Sequence, residues 1–239
     1  MKPPTITTFI ACKNHGKFLQ DAIDSIMDQT FKPTQFILLD DGSSDHSYQV
    51  MKRNADKDKR FTVIKHENSL GNIRSYNHCI ELTKGDYVHL MSADDILADK
   101  YFYEEACLEM MKDSEIGFCA IGLQHIDEDG RLLHFQVMPP VAGKIGPKTA
   151  LQLIKNNGNF ICGGGVLVRS NIQKAMPYDK DFPYTADMLN WIKIFKYGKS
   201  GYFYQRPGFL YRQHPATLTR MKPATFSERT RLQEMLSQV

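Results

Sequence analysis

The chain has 239 residues, 42% hydrophobic and 24% charged, a balance typical of a globular protein with one sizeable core. Its net charge of +3 is too small for a nucleic-acid-binding protein, which usually carries a basic stripe, so we expect no nucleic-acid partner. The five cysteines are odd in number, scattered and without a CxxC pair, which favours reduced thiols. The N-terminal segment has neither a signal-peptide pattern nor a run of about 18 apolar residues. The sequence therefore predicts a cytoplasmic protein without a membrane span.

The first half of the chain alternates short apolar runs with helical periodicity. Four runs predict strands, at 6–11, 35–39, 60–65 and 86–91, and the segments between them predict helices. A further helix is predicted near 100–112. This alternation indicates an α/β fold with a mostly parallel, doubly wound sheet covered by helices on both faces.

The second half of the chain has a different pattern. Apolar runs on either side of the turn "DEDG", at 116–126 and 131–137, predict a small antiparallel addition to the sheet. The Pro/Gly-rich stretch 138–147 is expected to be a mobile connection. Beyond it the sequence predicts a short helix at "TALQLI", a strand at "ICGGGVLVRS", a helix at 187–197, strands at 202–204 and 209–212, and a terminal helix.

Two pairs of adjacent acids stand where predicted strands end. Asp40 and Asp41 close the second strand, and Asp94 and Asp95 follow the fourth. Because ligands of open α/β sheets bind beyond the carboxyl ends of the strands, we expect both pairs on one rim. One pair would accept hydrogen bonds from a nucleoside, and the other would hold a divalent cation, Mn²⁺ or Mg²⁺, against a diphosphate. The alternative is that the acids have only local structural roles, since the residues of "DDGSSD" also favour a turn and those of "SADD" also favour a helix start.

The stretch "TTFIACKNHGKFLQDAIDSIMDQTFKPTQFILLDDGSSDHS" resembles the opening of the family 2 inverting glycosyltransferases, and "SLGNIRSYNHCIELTKGDYVHLMSADD" continues the resemblance in register. The resemblance is strong over residues 5–99 and looser to about residue 215. It implies the GT-A fold and the transfer of a sugar from a nucleoside diphosphate sugar, with inversion at the anomeric carbon. The donor that it implies is a uridine diphosphate sugar.

The resemblance also implies roles for individual residues on the donor side. Asp41 would contact the base, Asp40 would help to hold the nucleoside, Arg74 would lie near the base or phosphate, Asp94 would face the ribose or sugar, and Asp95 would bind the metal. Ala11, Asn14 and Asn77 are further substrate-binding positions that it implies.

The sequence departs from the family pattern at several of these motifs. Ala11 and Lys13 stand where the family often has Pro and Tyr, which affects stacking of the base on this turn. Ser92 replaces the first acid of the common Asp-x-Asp-Asp, so weaker metal binding is expected. Ala186 replaces the Glu of a Glu-Asp motif, so the assignment of the catalytic base rests on Asp187 alone.

Inversion by direct displacement needs a carboxylate that accepts the proton of the acceptor hydroxyl. The resemblance assigns this role to Asp187 in "YTADMLNWIKIFKYG", although an acid there would also match the positive end of a helix. In "NFICGGGVLVRS", Gly164 and Gly165 resemble the acceptor-side segment, where a missing Cβ lets the backbone approach a sugar; a structural bulge is the alternative. "LYRQHPATLT" resembles the family's late Tyr-Arg-x-His stretch and implies that Arg212 and His214 lie near the diphosphate, with His214 also a candidate metal ligand.

These patterns predict a nucleotide-sugar-binding half at 1–115, an acceptor-binding and catalytic half of the same domain at 116–220, and a basic C-terminal helix at 221–239. The expected acceptor is a glycan or a lipid-linked acceptor in surface-polysaccharide assembly. The basic end is compatible with peripheral contact at the inner face of an anionic membrane, although a charge-rich terminal helix is more often a solvated face. Oligomeric state leaves no signal in the sequence.

Two other functions remain open at this point. One is a nucleotide-sugar-binding protein without turnover, which the acids missing at Ser92 and Ala186 suggest. The other is a nucleotidyltransferase, which is less favoured because the sequence has no N-terminal glycine-rich phosphate loop with a lysine and an arginine.

Overall fold

The computed structural model describes residues 2–215, 217 and 226–237. Among them, ten strands form one mixed sheet in the order β3-β2-β1-β4-β9-β6-β10-β5, with β7 paired to β6 and β8 to β10. The strands are β1 (Ile6–Cys12), β2 (Gln35–Asp40), β3 (Phe61–Lys65), β4 (Tyr87–Ser92), β5 (Ile96–Leu97), β6 (Ile116–Ile126), β7 (Leu132–Val137), β8 (Gly143–Ile145), β9 (Val166–Arg169) and β10 (Ser200–Arg212). The helices are α1 (Gly16–Met27), α2 (Ser47–Ala55), α3 (Asn72–Glu81), α4 (Phe102–Lys112), α5 (Pro147–Asn157), α6 (Ser170–Ala175), α7 (Ala186–Lys196) and α8 (Phe226–Ser237), with a 3-10 turn at Gly163–Gly165.

The order of the parallel strands reverses between β1 and β4. From β1 the chain moves outward to β2 and β3, and it then returns to place β4 on the other side of β1. All four of these strands are parallel, as the sequence predicts. A reversal of this kind opens a crevice beyond the carboxyl ends of the two central strands. The expected α/β fold with a doubly wound sheet is confirmed.

Side chains of the central strands pack into two separate cores. Along β1, Phe9 faces one core and Ile10 the other, and both are at most 1% exposed. The helices α3, α5, α6, α7 and α8 cover the first core, and α1, α2 and α4 cover the second. Burial on both faces explains why these strands have continuous apolar runs rather than alternating polarity.

The second half of the sheet is mixed in direction. β9 is antiparallel to both β4 and β6, whereas β6 and β10 are parallel to each other. β7 returns antiparallel to β6 after the "DEDG" turn, so the predicted addition is confirmed.

Two local expectations were wrong. The two strands predicted at 202–204 and 209–212 form one strand, β10, whose register shifts on either side of Pro207. Proline cannot donate a ladder hydrogen bond, so a bulge accommodates it inside a continuous strand. The stretch predicted as a mobile connection contains β8, which pairs with β10. Residues Ile96 and Leu97 form β5 and pair with β10, so the alternative of a helix start after the second acid pair does not apply, and α6 was not predicted.

Helix α8 packs on the domain rather than standing apart in solvent. Leu232 and Leu236 are 3% and 4% exposed and belong to the core under α7. Lys196 Nζ donates to the carbonyl of Met235 at 2.8 Å, and Arg231 Nη2 donates to the carbonyl of Asp181 at 2.6 Å. The remainder of the predicted 221–239 helix, including Lys222, lies outside the described residues. Within the described part of the chain, no helix is both long enough and apolar enough to cross a bilayer.

The docking of α8 predicts a large effect of a single truncation. Leu232→Ala should lower the free energy of unfolding by about 2–5 kcal/mol, because it leaves a cavity in the core. Gln233→Ala, on the exposed side of the same helix, should change it by less than about 0.5 kcal/mol. Urea denaturation measures both values. Equal small effects would mean that α8 is not packed on the domain.

Candidate functional site

A cleft of about 650 Å³ opens beyond the carboxyl ends of β1 and β4, where the strand order reverses. Its walls come from the turn after β1, the start of α3, the segment after β4, the 3-10 turn and the start of α7. Both acid pairs of the sequence therefore send at least one carboxylate to the same cleft. The sequence-predicted site residues among its lining are Ala11, Asp41, Asp94, Asp95, Gly164 and Asp187.

The carboxylate of Asp41 is fully engaged by the protein. It accepts hydrogen bonds from His66 Nδ1 (2.8 Å), Ser69 Oγ (2.7 Å) and the N–H groups of Leu70 (2.8 Å) and Gly71 (3.0 Å). Burial alone would raise the pKa of Asp41, but these hydrogen bonds outweigh it and lower the pKa to about 2. Asp41 therefore holds the 66–71 loop against the end of β2. Because a carboxylate has about four lone-pair positions, a nucleobase could bind Asp41 only by displacing one of these four donors.

The remaining predicted residues are not among the residues that line the cleft. Two of them, Asn77 and Asn14, form hydrogen bonds with the protein backbone. Asn77 donates to the carbonyl of Tyr178 at 2.8 Å and accepts from its N–H at 2.9 Å, while Asn14, with φ of 57°, accepts from the N–H of Ser44 at 2.8 Å. Substrate binding stays a prediction for all seven, which are Asn14, Asp40, Arg74, Asn77, Gly165, Arg212 and His214.

The second acid pair divides into a buried member and an accessible one. Asp95 is 2% exposed and accepts the backbone N–H of Arg212 at 2.8 Å, and burial together with the neighbouring Asp94 raises its pKa. Asp94 is more accessible and accepts from His214 Nε2 at 2.9 Å. The guanidinium of Arg212 lies behind this pair, where it donates to the carbonyls of Asp94 and Glu128 and packs over Phe18. Arg212 therefore braces the segment that carries Asp94.

Three side chains at one end of the cleft form a cluster with the composition of a metal site. His15, Asp94 and His214 each offer a ligand atom, and these atoms lie within 4.8 Å of one another. The rings of His15 and His214 meet edge to face at 5.3 Å between centroids. Two imidazoles and a carboxylate suit a first-row transition ion, and a cation there would offset the charge of two adjacent acids. The donor set fits a divalent metal.

His15 was missed by the sequence interpretation. Its signal is its position in "KNHGKF", the turn directly after β1, which must face the crevice once the strand order reverses. The cluster also contains Asp94 rather than Asp95, the residue to which the resemblance assigned the metal.

Asp187 is the second residue of α7 and lies beside the 3-10 turn. Its carboxylate accepts from the N–H of Met188 at 2.7 Å and from Asn159 Nδ2 at 3.1 Å. A Cβ added to Gly163 would lie 3.4 Å from the Cβ of Asp187 and 3.9 Å from its Oδ2, so the turn lies beside Asp187 with room for about one methyl group between them. Burial raises the pKa of Asp187 in spite of these hydrogen bonds. A carboxylate with a raised pKa is a stronger proton acceptor.

Tyrosines line much of the cleft, which the sequence did not show individually. Tyr76 and Tyr178 meet edge to face at 5.9 Å, and burial raises the pKa of each, so both hydroxyls stay protonated near neutral pH. Aromatic faces with neutral hydroxyls suit a ring that is apolar on one side and polar at its edges. The tyrosines of the lining are Tyr76, Tyr178, Tyr184 and Tyr211.

A carboxylate from α8 reaches the residues just before Asp187. Glu228 is 2% exposed, and its Oε1 accepts the N–H of Tyr184 at 3.1 Å and the hydroxyl of Thr185 at 3.4 Å. An acid is thus present beside the α7 N-terminus, where Ala186 replaces the expected Glu in the sequence.

Solved structures identify the fold. The structure superposes on TarS of S. aureus in complex with UDP-GlcNAc with a TM-score of 0.78, at 14% identity, over 98% of this chain and 65% of that one. A mannosyltransferase of Pyrobaculum calidifontis in complex with GDP-Man and Mn²⁺ gives a TM-score of 0.64, also at 14% identity, over 89% of this chain and 57% of that one. The expected GT-A fold is confirmed.

The family model "Glycosyl transferase family 2" matches residues 7–175, and the chain belongs to this family. An uncharacterized glycosyltransferase of Methanocaldococcus jannaschii is 28% identical over 81% of this chain. The putative glycosyltransferase EpsE of Bacillus subtilis is 23% identical over 88% of this chain and 73% of its own length. The chain spans 65% of the length of the Methanocaldococcus relative and 43% and 61% of two further relatives, from Streptococcus pneumoniae and Haemophilus influenzae.

The engagement of Asp41 predicts a stability effect that depends on pH. Its folded pKa of about 2 lies below the ordinary 3.8, so its contribution is present above 3.8 and is lost as the pH falls toward 2. Asp41→Asn should therefore cost about 2 kcal/mol of unfolding free energy near neutral pH, and the difference from the unmodified protein should shrink below pH 3.8.

Urea denaturation across this pH range measures the effect. Asp56→Asn is the matched control, because Asp56 is exposed and its ion pair with Lys52 is long, at 3.9 Å, and it should change little at any pH. A loss of unfolding free energy in Asp41→Asn that stays constant down to pH 3 would contradict the lowered pKa of Asp41.

Proposed function

We propose that this chain is an inverting glycosyltransferase that moves a sugar from a nucleoside diphosphate sugar, with a uridine diphosphate sugar as donor, to an acceptor hydroxyl. The observation that carries the proposal is the meeting of the Asp41 loop, the Asp94 segment and Asp187 in one cleft. A long donor needs such a site, with its nucleoside, diphosphate and sugar bound at different places. The structural neighbours solved with UDP-GlcNAc and with GDP-Man support the same class of donor.

The nucleoside is proposed to bind between the turn after β1 and the start of α3. Ser69, Gly71 and Asn72 line this end of the cleft, and Asp41 fixes their position through the loop. Ala11, which replaces a family proline, forms part of the same wall. On this view residues 1–115 hold the donor, and residues 116–220 supply the base and the acceptor site.

The diphosphate is proposed to lie near His15, Asp94 and His214. A divalent cation held by these three residues would neutralise the charge that leaves with the diphosphate. The hydrogen bond from His214 to Asp94 keeps the two side chains together before a cation binds. Oxygen ligands are what Mg²⁺ prefers, so two imidazoles favour Mn²⁺ over Mg²⁺.

Asp187 is proposed to be the general base. The acceptor hydroxyl gives its proton to the Asp187 carboxylate as its oxygen forms a bond to the anomeric carbon. The bond from that carbon to the diphosphate oxygen breaks on the opposite face, and its electron pair leaves with the diphosphate. The Asn159 amide and the Met188 N–H hold the carboxylate in a fixed orientation for this transfer.

A lipid-linked acceptor in surface-polysaccharide assembly is proposed on the basis of a row of ring contacts that runs from the cleft wall to exposed apolar side chains on β7. Tyr211 in the cleft wall contacts the ring of His125 at 5.3 Å between centroids, and His125 contacts Phe135 at 4.6 Å. Phe135 and Leu132 of β7 are 60% and 70% exposed. Exposed apolar groups of this kind suit the apolar carrier of such an acceptor and a protein working at the inner face of a membrane.

Removal of the proposed base should abolish turnover and preserve binding. Asp187→Asn should lower kcat by about 10²- to 10⁴-fold, because the amide cannot take the proton. UDP binding in the presence of Mn²⁺, measured by calorimetry, should be unchanged. Tyr76, Tyr178 and Cys162 interact with Asp187 but have raised pKa values, so they do not titrate with it near neutral pH.

The pH profile gives a second measure of the same role. Because the pKa of Asp187 is raised, kcat/KM should fall on the acidic side at a pH above the ordinary 3.8 of an aspartate. A panel of nucleoside diphosphate sugars and acceptors identifies the substrates for these measurements. Full activity in Asp187→Asn, or an unmodified protein that binds nucleotide sugars and transfers none, would contradict the proposal.

The proposed metal site predicts a measurable change in Mn²⁺ affinity without any turnover. His15→Ala and His214→Ala should each raise the Kd for Mn²⁺, titrated together with UDP, by at least about ten-fold. His134→Ala is the control, because His134 is exposed on β7 outside the cleft lining. The unmodified protein should bind Mn²⁺ more tightly than Mg²⁺. Unchanged Mn²⁺ affinity in both cleft variants would place the cation elsewhere.

A further inference from the structure

A buried chain of hydrogen bonds runs from the second core to the wall of the cleft. Thr8 Oγ1 lies 2.8 Å from Tyr103 Oη, Tyr103 Oη lies 2.6 Å from His89 Nδ1, and His89 Nε2 lies 2.7 Å from the carbonyl oxygen of Gly164. Thr8, Tyr103 and His89 are fully buried. The function proposed above gives none of these three side chains a role.

The protons of this chain have one consistent arrangement. The Gly164 carbonyl can only accept, so His89 Nε2 carries a hydrogen and donates it. Burial lowers the pKa of His89 to about 4, so near neutral pH the ring is neutral and Nδ1 is an acceptor. Tyr103 must then donate to Nδ1, and Thr8 must donate to Tyr103. Each group fixes the donor or acceptor role of the next, and the Gly164 carbonyl is the last acceptor of this series of hydrogen bonds.

Gly164 is the centre of the 3-10 turn between the sheet and the cleft. A Cβ at Gly164 would lie 2.3 Å from the ring of Phe209, and one at Gly165 would lie 3.1 Å from the carbonyl oxygen of Ile121. The turn is therefore pressed against β10 and β6 on one side. On the other side Gly163 lies beside Asp187, where an added Cβ would be 3.4 Å from the Asp187 Cβ, and Gly163 and Gly164 line the cleft.

Steric contact limits how close the turn can come to the sheet, but it does not keep the turn from moving away. The residues at 163–165 have no side chains with which to anchor themselves. Their backbone bond within the turn, from the N–H of Gly165 to the carbonyl of Cys162 at 3.0 Å, is local. The hydrogen bond from His89 to Gly164 ties the turn to β4, the strand that leads into the Asp94 pair.

We propose that His89 is a positioning residue for the acceptor side of the cleft: through Gly164 it holds the 163–165 turn in its place beside Asp187. The link between β4 and the turn fixes the distance between the carboxylate segment after β4 and the proposed base. The effect on catalysis rests on the function proposed above, whereas the effect on the turn itself does not.

The first test needs no substrate. Amide hydrogen exchange, followed by mass spectrometry of peptides covering 160–166 and 66–73, is measured for the unmodified protein, His89→Leu and His89→Gln. His89→Leu removes the donor to Gly164, so exchange at 160–166 should rise about ten-fold or more while 66–73 is unchanged. The Gln side chain offers a donor and an acceptor at similar positions, and His89→Gln should restore most of the protection.

Two further variants separate positioning from general loss of stability. Tyr103→Phe keeps the bond from His89 to Gly164 but removes the donor to Nδ1, so a smaller rise at 160–166 is expected. Phe36→Leu, at the stack of Phe36 on Phe61 under α1 and α2, should lower Tm without a local rise at 160–166. A rise at 160–166 in His89→Leu no larger than in Phe36→Leu, at matched Tm, overturns the proposal, as does a failure of His89→Gln to restore protection.

The second test is kinetic. His89→Leu should lower kcat about 10- to 100-fold through misplacement of the turn and Asp187, with the Kd for UDP and Mn²⁺ unchanged. A local rise in exchange with unchanged kcat overturns the catalytic part of the proposal. If the unmodified protein transfers no sugar, the proposed function fails on its own, and the exchange measurement still decides whether His89 holds the turn.

Discussion

The cleft depends on the reversal of strand order between β1 and β4, where the connections that follow two neighbouring parallel strands diverge to opposite sides. Ala11 and Ser92 are paired across β1 and β4, so the two strands end side by side. Past this pair, the chain after β1 turns toward α1, and the chain after β4 carries the acid pair toward β5. The space left between them cannot be closed by either connection. It brings His15 and Asp94 together although 79 positions separate them in sequence, and the site is a consequence of strand order.

Several carboxylates share this space, and each is stabilised in a different way. Asp41 is saturated by four donors from one loop, and Asp95 is buried against the backbone of β10. Asp187 is oriented by an amide and a backbone N–H at the start of a helix. Asp94 has two histidines beside it. The acids are therefore not equivalent: two organise the protein, one is suited to accept a proton, and one is suited to bind a cation. Local contacts, rather than residue type, divide these roles.

Much of the fold was predictable because apolar periodicity and strand order determine it together. The alternation in the first half predicted β1 to β4, and the shift to a hairpin pattern predicted β6 and β7. The sequence could not show that Pro207 sits inside a continuous strand, because a proline signals a break until a bulge is seen. The three glycines at 163–165 were noted as a site of close backbone approach or a bulge, but their 3-10 turn and its position beside Asp187 depend on how α7 packs. For the candidate site, the acid pairs indicated the rim at which the cleft lies. The individual partners of Asp41, Asn77 and Arg212 are long-range contacts, which local pattern does not encode.

The most direct test is a crystal structure of the protein with UDP and Mn²⁺. We expect the ion to be bound by Asp94, His15 and His214 and by the diphosphate. The uracil ring should lie against the loop that Asp41 holds. Asp187 should face the open end of the diphosphate, where a donor sugar would project. An ion bound away from the two histidines, or a nucleotide bound outside the cleft between β1 and β4, would contradict it.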